Sequence, residues 1–470
     1  MPLILSGNVA SAAVGYEVAN SCRFNDDDSA YMHFTPGSAG SRRTMTFSFW
    51  FKKGQHTASN TAFFGQYNSA NENNSLIQID GNDRLAIWDY STSAYRMNLR
   101  TNRVFRDHAA WYHICVAIDT TQGTEANRVK IYVNGTQETS FAISVYPSEN
   151  LDLNINEDKA QQIGVQRFAS SNNYFWDGYL AEFFFVDGSA LAQTAFGEFD
   201  EDSPTIWKPK DCKDDLTFGT NGYYLDFEDS GDLGDDESGN TNDFTEVNLA
   251  ATDQATDSPT NNFCTMNPLD NFYFGAAFSE GNLKVVSTSS IETFGTGTMG
   301  VASGKWYWEV KVTSASGYTN IGIASEVSDS ASNYLGEKAS TPNYMYDSGT
   351  GDSYTGGTGT DHGDTYTTND IIGVALNLDD NEINYYKNGT VQNSGTAVSI
   401  TAAASTPIGF YLPAGGDRHD DDATFEFNFG NPSFSISSGN ADGKGYGNFE
   451  YAPPSGYYAL NTKNLGAYGG

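Results

Sequence analysis

Thr44-Met45-Thr46-Phe47-Ser48-Phe49-Trp50-Phe51 alternates polar and apolar side chains with a period of two. Successive side chains on a strand point to opposite sides of the sheet, so this run reads as a strand with one buried face. The pattern continues on both sides. Leu76–Ile79 and Arg84–Trp88 are short strands around a Gly81-Asn82 turn. Trp111–Asp119 reads as a core strand, and Arg128–Val133 runs into Asn134-Gly135, a two-residue hairpin turn. Ala160–Val165 and Gly178–Val186 complete the set. One short helix is expected near Leu191–Phe196.

The second half repeats this plan. Lys305–Val312, Asn320–Ala324, Asp370–Asp379, Glu382–Lys387 and Thr424–Phe429 read as strands, with a second Asn-Gly turn at Asn388-Gly389. A buried strand, a loop, a second strand and an Asn-Gly hairpin therefore occur in both halves. The simplest account is all-β: two antiparallel β-sandwiches joined by an acidic connector. The expected boundaries are an N-terminal arm at 1–20, a first sandwich at 21–200, a connector at 201–263, a second sandwich at 264–432 and a tail at 433–470.

The chain of 470 residues carries 25 basic and 59 acidic side chains, a net charge of −34. That balance argues against nucleic acid and anionic lipid as partners, since both need clustered Lys and Arg. Aromatic residues make up 14%, which an acidic disordered chain lacks. Residues 1–200 hold 14 basic and 21 acidic side chains, and residues 201–470 hold 11 and 38. On the expected boundaries the acidity lies in the connector and the second sandwich. No stretch approaches the roughly 20 apolar residues of a membrane helix, so no membrane insertion is expected. The apolar start Met1–Leu5 lacks a basic flank and is not expected to be a signal peptide. Cys22, Cys115, Cys212 and Cys264 form no C-x-x-C pair and read as buried thiols, with a Cys212–Cys264 bridge left open.

These residues also carry a family likeness. Phe47–Phe51, Trp111-Tyr112-His113, Tyr132–Gly135 and Gly178–Phe183 resemble concanavalin A-like, laminin-G-type jelly rolls. Ser303–Val310, Ile321–Ala324, Ile372–Leu376 and Tyr386–Gly389 resemble a SPRY domain. The tandem, with its opening Met1-Pro2-Leu3-Ile4-Leu5 and its Ala459–Leu465 segment, is similar to bacteriophage virion proteins, especially of marine phages. That resemblance implies a protein on the virion surface, extracellular after lysis. It leaves open tail fibre, spike or head knob. The arm and the tail are both candidate anchors.

Jelly-roll glucanases resembling this fold place acidic residues at i, i+2 and i+4 in one cleft. The matching strand here offers only Glu182. Asp177 and Asp187 lie five residues away on either side, which strict alternation puts on the opposite face. No nucleophile elbow, zinc motif or phosphate loop is present, and His113 beside Trp111 reads as a packed strand residue. No catalytic residue is therefore assigned. Sandwiches resembling the first domain often hold Ca2+ at a loop rim, which makes Asp26, Asp28, Asp235 and Asp420 the candidate ligands. Carbohydrate sites need aromatic faces and hydrogen-bonding partners. Tyr90, Tyr95, Tyr174, Trp176, Tyr344, Tyr346, Tyr354 and Tyr366 are the ligand-binding candidates. Trp50, Trp88, Trp111, Trp306 and Trp308 are expected to pack in strands.

The expected function is a non-enzymatic virion surface protein, assembled as a homo-oligomer, that binds a host-surface carbohydrate or protein and other virion proteins. The alternatives are a head decoration protein bound to capsid neighbours and a glycan-cleaving enzyme.

Overall fold

The structure is a computed structural model. It describes residues 4–5, 15–55, 59–68, 73–168, 171–288, 292–315, 317–418 and 422–469. The chain divides into two compact units, one of Val14–Thr260 and one of Met1–Ala13 with Asn261–Gly470.

The first unit stacks two eight-stranded sheets. In one, the strand Thr44–Lys53 lies between Trp111–Asp119 and Gly178–Asp187. Phe47, Phe49 and Phe51 point into the core between the sheets, as the alternation predicts. Trp50 points the other way and packs with Val18, Trp111, Tyr179 and Trp207. The second sheet runs in spatial order Phe141–Val145, Ala94–Val104, Arg84–Ser91, Asn73–Ile79, Thr61–Asn68, Gln161–Ile163, Tyr31–Phe34 and Thr245–Val247.

The stretch expected to connect two domains belongs, up to Thr260, to the first one. Tyr223–Leu225 pairs with Gly178–Asp187, Thr245–Val247 with Tyr31–Phe34, and Gln254–Ala255 with Ser21–Phe24. Asp257, fully buried, takes a 2.6 Å ion pair from Lys52 and a 2.9 Å hydrogen bond from the Trp111 indole. Buried charges are tolerated when paired and hydrogen-bonded, and Asp257 fastens the end of this stretch to the sheet. The charge distribution changes accordingly. Residues 14–260 hold 17 basic and 37 acidic side chains, against 8 and 22 in residues 261–470.

The second unit has a nine-stranded sheet built around Lys305–Ser314 and a six-stranded sheet built around Thr319–Ala324. The described part of the arm, Ile4–Leu5, pairs in parallel with Met299–Gly300. The tail is also structural. Tyr458–Ala459 joins the nine-stranded sheet, and the helix Thr462–Tyr468 is capped by Asn461, whose side chain accepts the Asn464 N–H at 2.9 Å. Leu460 and Leu465 close the core. The helix expected near Leu191 is only a 3-10 turn at Gln193–Ala195. All four cysteines are buried as thiols, so Cys212 and Cys264 form no bridge.

Candidate functional site

The outer face of the first unit's second sheet gathers aromatic rings and side-chain amides. Register partners form rows across its strands. One row is Gln162, Gly65, Leu76, Trp88 and Asn98, and the next is Tyr67, Asn74, Tyr90 and Tyr95. Neighbouring strands lie about 4.8 Å apart, so each row is a ladder of side chains on one face. Trp88 and Tyr95 meet edge to face at 5.7 Å, as do Tyr90 and Tyr95 at 5.2 Å. Tyr95 is 45% exposed. The backbone at Val165–Gln166 crosses directly over Gly65, where a Cβ would stand 2.9 Å from the Val165 carbonyl oxygen. This crossing leads into a hairpin, Gln166–Phe168 with Ser171–Asn173, and sets Phe168 5.9 Å from Tyr67.

The amides on this face are unusual. Asn74, Gln78, Gln162 and Gln166 are buried, yet both polar atoms of Asn74 and the Oε1 atoms of the three glutamines have no hydrogen-bond partner among the described residues. Leaving one such group unsatisfied costs about 1–3 kcal/mol, so packing does not explain several on one face. Aromatic rings of the kind that cover the C–H surface of a sugar thus share this face with buried amides.

Three expected ligand-binding residues belong to this region of the sheet. Tyr90 and Tyr95 lie on the face, and Tyr174, 42% exposed, follows the hairpin and gives its carbonyl to the Ala62 N–H. The other five candidates are interior. Trp176 is fully buried, 4.4 Å from Phe63. The Tyr344 hydroxyl accepts the Thr401 N–H at 2.9 Å. Tyr346 stacks on Tyr385 at 5.2 Å, and the Tyr366 hydroxyl lies 2.7 Å from the Thr319 carbonyl. Tyr354 is buried beside Arg418. Tyr344 and Tyr346 stand at i and i+2 of one strand, a spacing that already indicates one inward face. Trp88, expected in core or inter-sheet packing, is buried in a hydrophobic cluster on the outer face with Ala62, Leu76 and Ala86. The alternation Leu76, Gln78 and Ala86, Trp88 carried that signal.

Among the metal candidates, Asp26 accepts from the Gln55 amide and Asp28 from the Asn25 amide, at 3.1 and 2.9 Å. In the acidic loop it is Asp236, beside Asp235, that accepts the Tyr224 and Asn242 N–H groups. Among the described residues no group of three His, Cys, Asp or Glu side chains could hold a metal ion. Asp420 lies outside the described residues.

Glu182 sits on a bulge with φ of 51°, between Ala181, opposite Trp50, and Phe184, opposite Ser48. The bulge turns it to the outer face, where strict alternation would point it inward. There it is buried and accepts from the Tyr224 hydroxyl at 2.8 Å and the Tyr16 hydroxyl at 3.3 Å. Burial pushes its carboxyl up to about 8. His113 is also buried. Its Nδ1 accepts from the Trp207 indole at 3.0 Å and its Nε2 meets the Ser48 hydroxyl at 2.8 Å, and burial holds it down to about 3.

Residues 26–194 match the Concanavalin A-like lectin/glucanases superfamily (Laminin_G_3), and residues 305–416 match the SPRY domain. The chain thus carries a concanavalin A-like domain followed by a SPRY domain, folds that serve in binding and protein interaction. It is 35% identical to Ran-binding protein 9 of Xenopus tropicalis over 121 residues, 24% of this chain and 22% of that protein. Among solved structures it is similar to a heptameric SAP-like pentraxin from Limulus polyphemus. That match has 14% identity, 38% of this chain, 80% of that one and a TM-score of 0.29. The SPRY domain of human HERC1 matches with 15% identity, 32% of this chain, 91% of that one and a TM-score of 0.25.

Proposed function

We propose that this chain is a non-enzymatic virion surface protein whose concanavalin A-like domain binds a host-surface glycan. The observation that carries the binding reading is the set of amide oxygens of Asn74, Gln78, Gln162 and Gln166 without a hydrogen-bond partner among the described residues, on the face that carries Trp88, Tyr90 and Tyr95. Their neutral chemistry suits a neutral glycan, and the net charge of −34 disfavours a polyanionic one. The position of Glu182, beneath Tyr16 and Tyr224, supports a reading without glycoside hydrolysis. The virion assignment is supported by the resemblance of the tandem and of its two terminal segments to phage proteins.

The test of binding is a glycan array with the purified chain, repeated with Trp88→Ala. Signal on neutral glycans that falls at least tenfold in the variant is expected. Uniform silence overturns the glycan reading. Immunogold labelling of particles from a producing culture tests the virion reading, and gold found only on cell debris overturns it.

A further inference from the structure

Residues 261–470 contain a single arginine, Arg418, at the end of the strand Leu412–Asp417. Its guanidinium carbon lies 4.6 Å from the ring centre of Tyr354, 5.1 Å from Tyr334 and 5.4 Å from Tyr318. Its Nη1 is 3.5 Å from Asp347 Oδ2. Three aromatic faces and one carboxylate are the elements of a cation-binding cage, because the negative face of each ring attracts a weakly hydrated cation.

Asp347, Tyr354 and Tyr334 are also held by groups other than Arg418, while the Tyr318 carbonyl accepts the Arg418 N–H at 3.2 Å. Asp347 Oδ1 accepts the Gly349 and Thr350 N–H groups, both at 3.0 Å, which leaves Oδ2 turned towards the cation and the Asn320 amide. The ring of Tyr354 lies against Gly359 of the neighbouring strand, where a Cβ would come within 2.6 Å of its Cζ. The Tyr334 N–H is held by Glu337 at 3.2 Å. Arg418 has 24% of its side chain exposed, while Asp347 is fully buried. The surrounding residues 261–470, with 8 basic and 22 acidic side chains, draw in positive charge.

We infer that Tyr318, Tyr334, Tyr354 and Asp347 form a recognition site for a guanidinium or alkylammonium side chain of a partner protein, which Arg418 plugs in the free chain. A basic partner would enter by displacing Arg418, so the plug sets a threshold that only a well-placed cation overcomes. This site is separate from the glycan face and does not depend on it.

The test uses the full chain and the peptide acetyl-Gly-Arg-Gly-amide, with acetyl-Gly-Gln-Gly-amide as control, followed by NMR of the tyrosine rings. Arg418→Ala is expected to bind the arginine peptide at least tenfold more tightly than wild type, with the Tyr354 ring resonances moving. Adding Tyr354→Ala to that variant is expected to abolish binding. Equal affinity of wild type and Arg418→Ala overturns the plug, and no binding by a folded Arg418→Ala overturns the site. If Arg418→Ala does not fold, wild type labelled with 15N-arginine decides. An Arg418 Nε resonance that shifts to its solvent-exposed position as the peptide is added supports displacement, and one that stays fixed overturns it.

Discussion

Each sandwich buries one glutamate on the outer face of a central strand, and the two are held in different ways. Glu309, fully buried, accepts four hydrogen bonds. Oε1 takes the Tyr451 N–H at 2.7 Å and the Tyr307 hydroxyl at 3.2 Å, while Oε2 takes the Glu450 N–H at 2.9 Å and the Asn428 amide at 3.2 Å. Among the described residues Glu182 receives only tyrosine hydroxyls, which can turn to accept as well as donate. Two of Glu309's donors are backbone N–H groups of the C-terminal segment, which cannot reverse. Glu309 is thus a fixed acceptor that fastens the tail, whereas Glu182 is an adaptable one beneath Tyr16. Burial raises both carboxyls, Glu309 to about 7 and Glu182 to about 8.

The sharpest break in this comparison is the amide substitution. Glu309→Gln would turn an NH2 group against two of those donors and is expected to destabilise the second unit by roughly 2–3 kcal/mol. Glu182→Gln is expected to change the first unit by less than about 1 kcal/mol at pH 6. Urea melts followed by domain-specific probes would read the difference, and equal losses would contradict it.

The two Asn-Gly hairpins give a smaller contrast. Gly135 (φ +76°) and Gly389 (φ +78°) both occupy left-handed backbone, and a Cβ would strike Trp207 at the first and Tyr451 at the second. Each glycine→alanine change is expected to cost about 1–2 kcal/mol. The cost should be larger at Gly135, because Trp207 is buried and tied to His113 while Tyr451 is only half-buried. Thermal melts of the two variants would order them.

A third contrast is the pH dependence. A carboxyl raised on folding contributes stability that is full below its unfolded value near 4.5 and is lost as pH rises through its folded value. Glu182 and Glu309 should therefore erode stability between about pH 4.5 and 8. His113 acts in the opposite sense. Its stability is full above about 6.5 and is lost as pH falls towards 3. Melting temperatures across pH 5–9 for wild type and Glu182→Gln should fall less steeply between about pH 5 and 8 in the variant.

Much of the architecture could be read directly from residue patterns. Thr44–Phe51 and Lys305–Val312 alternate polar and apolar side chains, Trp111–Asp119 has the apolar run of a core strand, and Asn134-Gly135 and Asn388-Gly389 announce their turns. The strand at Tyr223–Leu225 shows in the sequence, but the pairing of 201–260 with the first sandwich was hidden because strands such as Thr245–Val247 and Gln254–Ala255 are too brief to show a period among Asp and Gly. The site was half legible. Tyr90 and Tyr95 carry an aromatic signal that any reading finds, but Asn74, Gln78 and Gln162 come together only through strand register. Tyr346 and Tyr366 misled because a tyrosine among Gly, Ser and Thr looks like a loop residue even when its hydroxyl is bonded inside a core.

The pairing of Ile4–Leu5 with Met299–Gly300 gives the chain an unusual genealogy: the second sandwich begins, is interrupted at Val14 by the whole of the first, and resumes at Asn261. The interruption enters and leaves at neighbouring points, since Thr260 Oγ1 lies 3.1 Å from both the N–H and the carbonyl of Val18. The concanavalin A-like domain is therefore a cassette spliced into a SPRY host. A proteolytic nick before Val14 would leave the two units joined at Thr260-Asn261, whereas a nick after Thr260 would leave 261–470 covalently separate and without one strand of its own sheet.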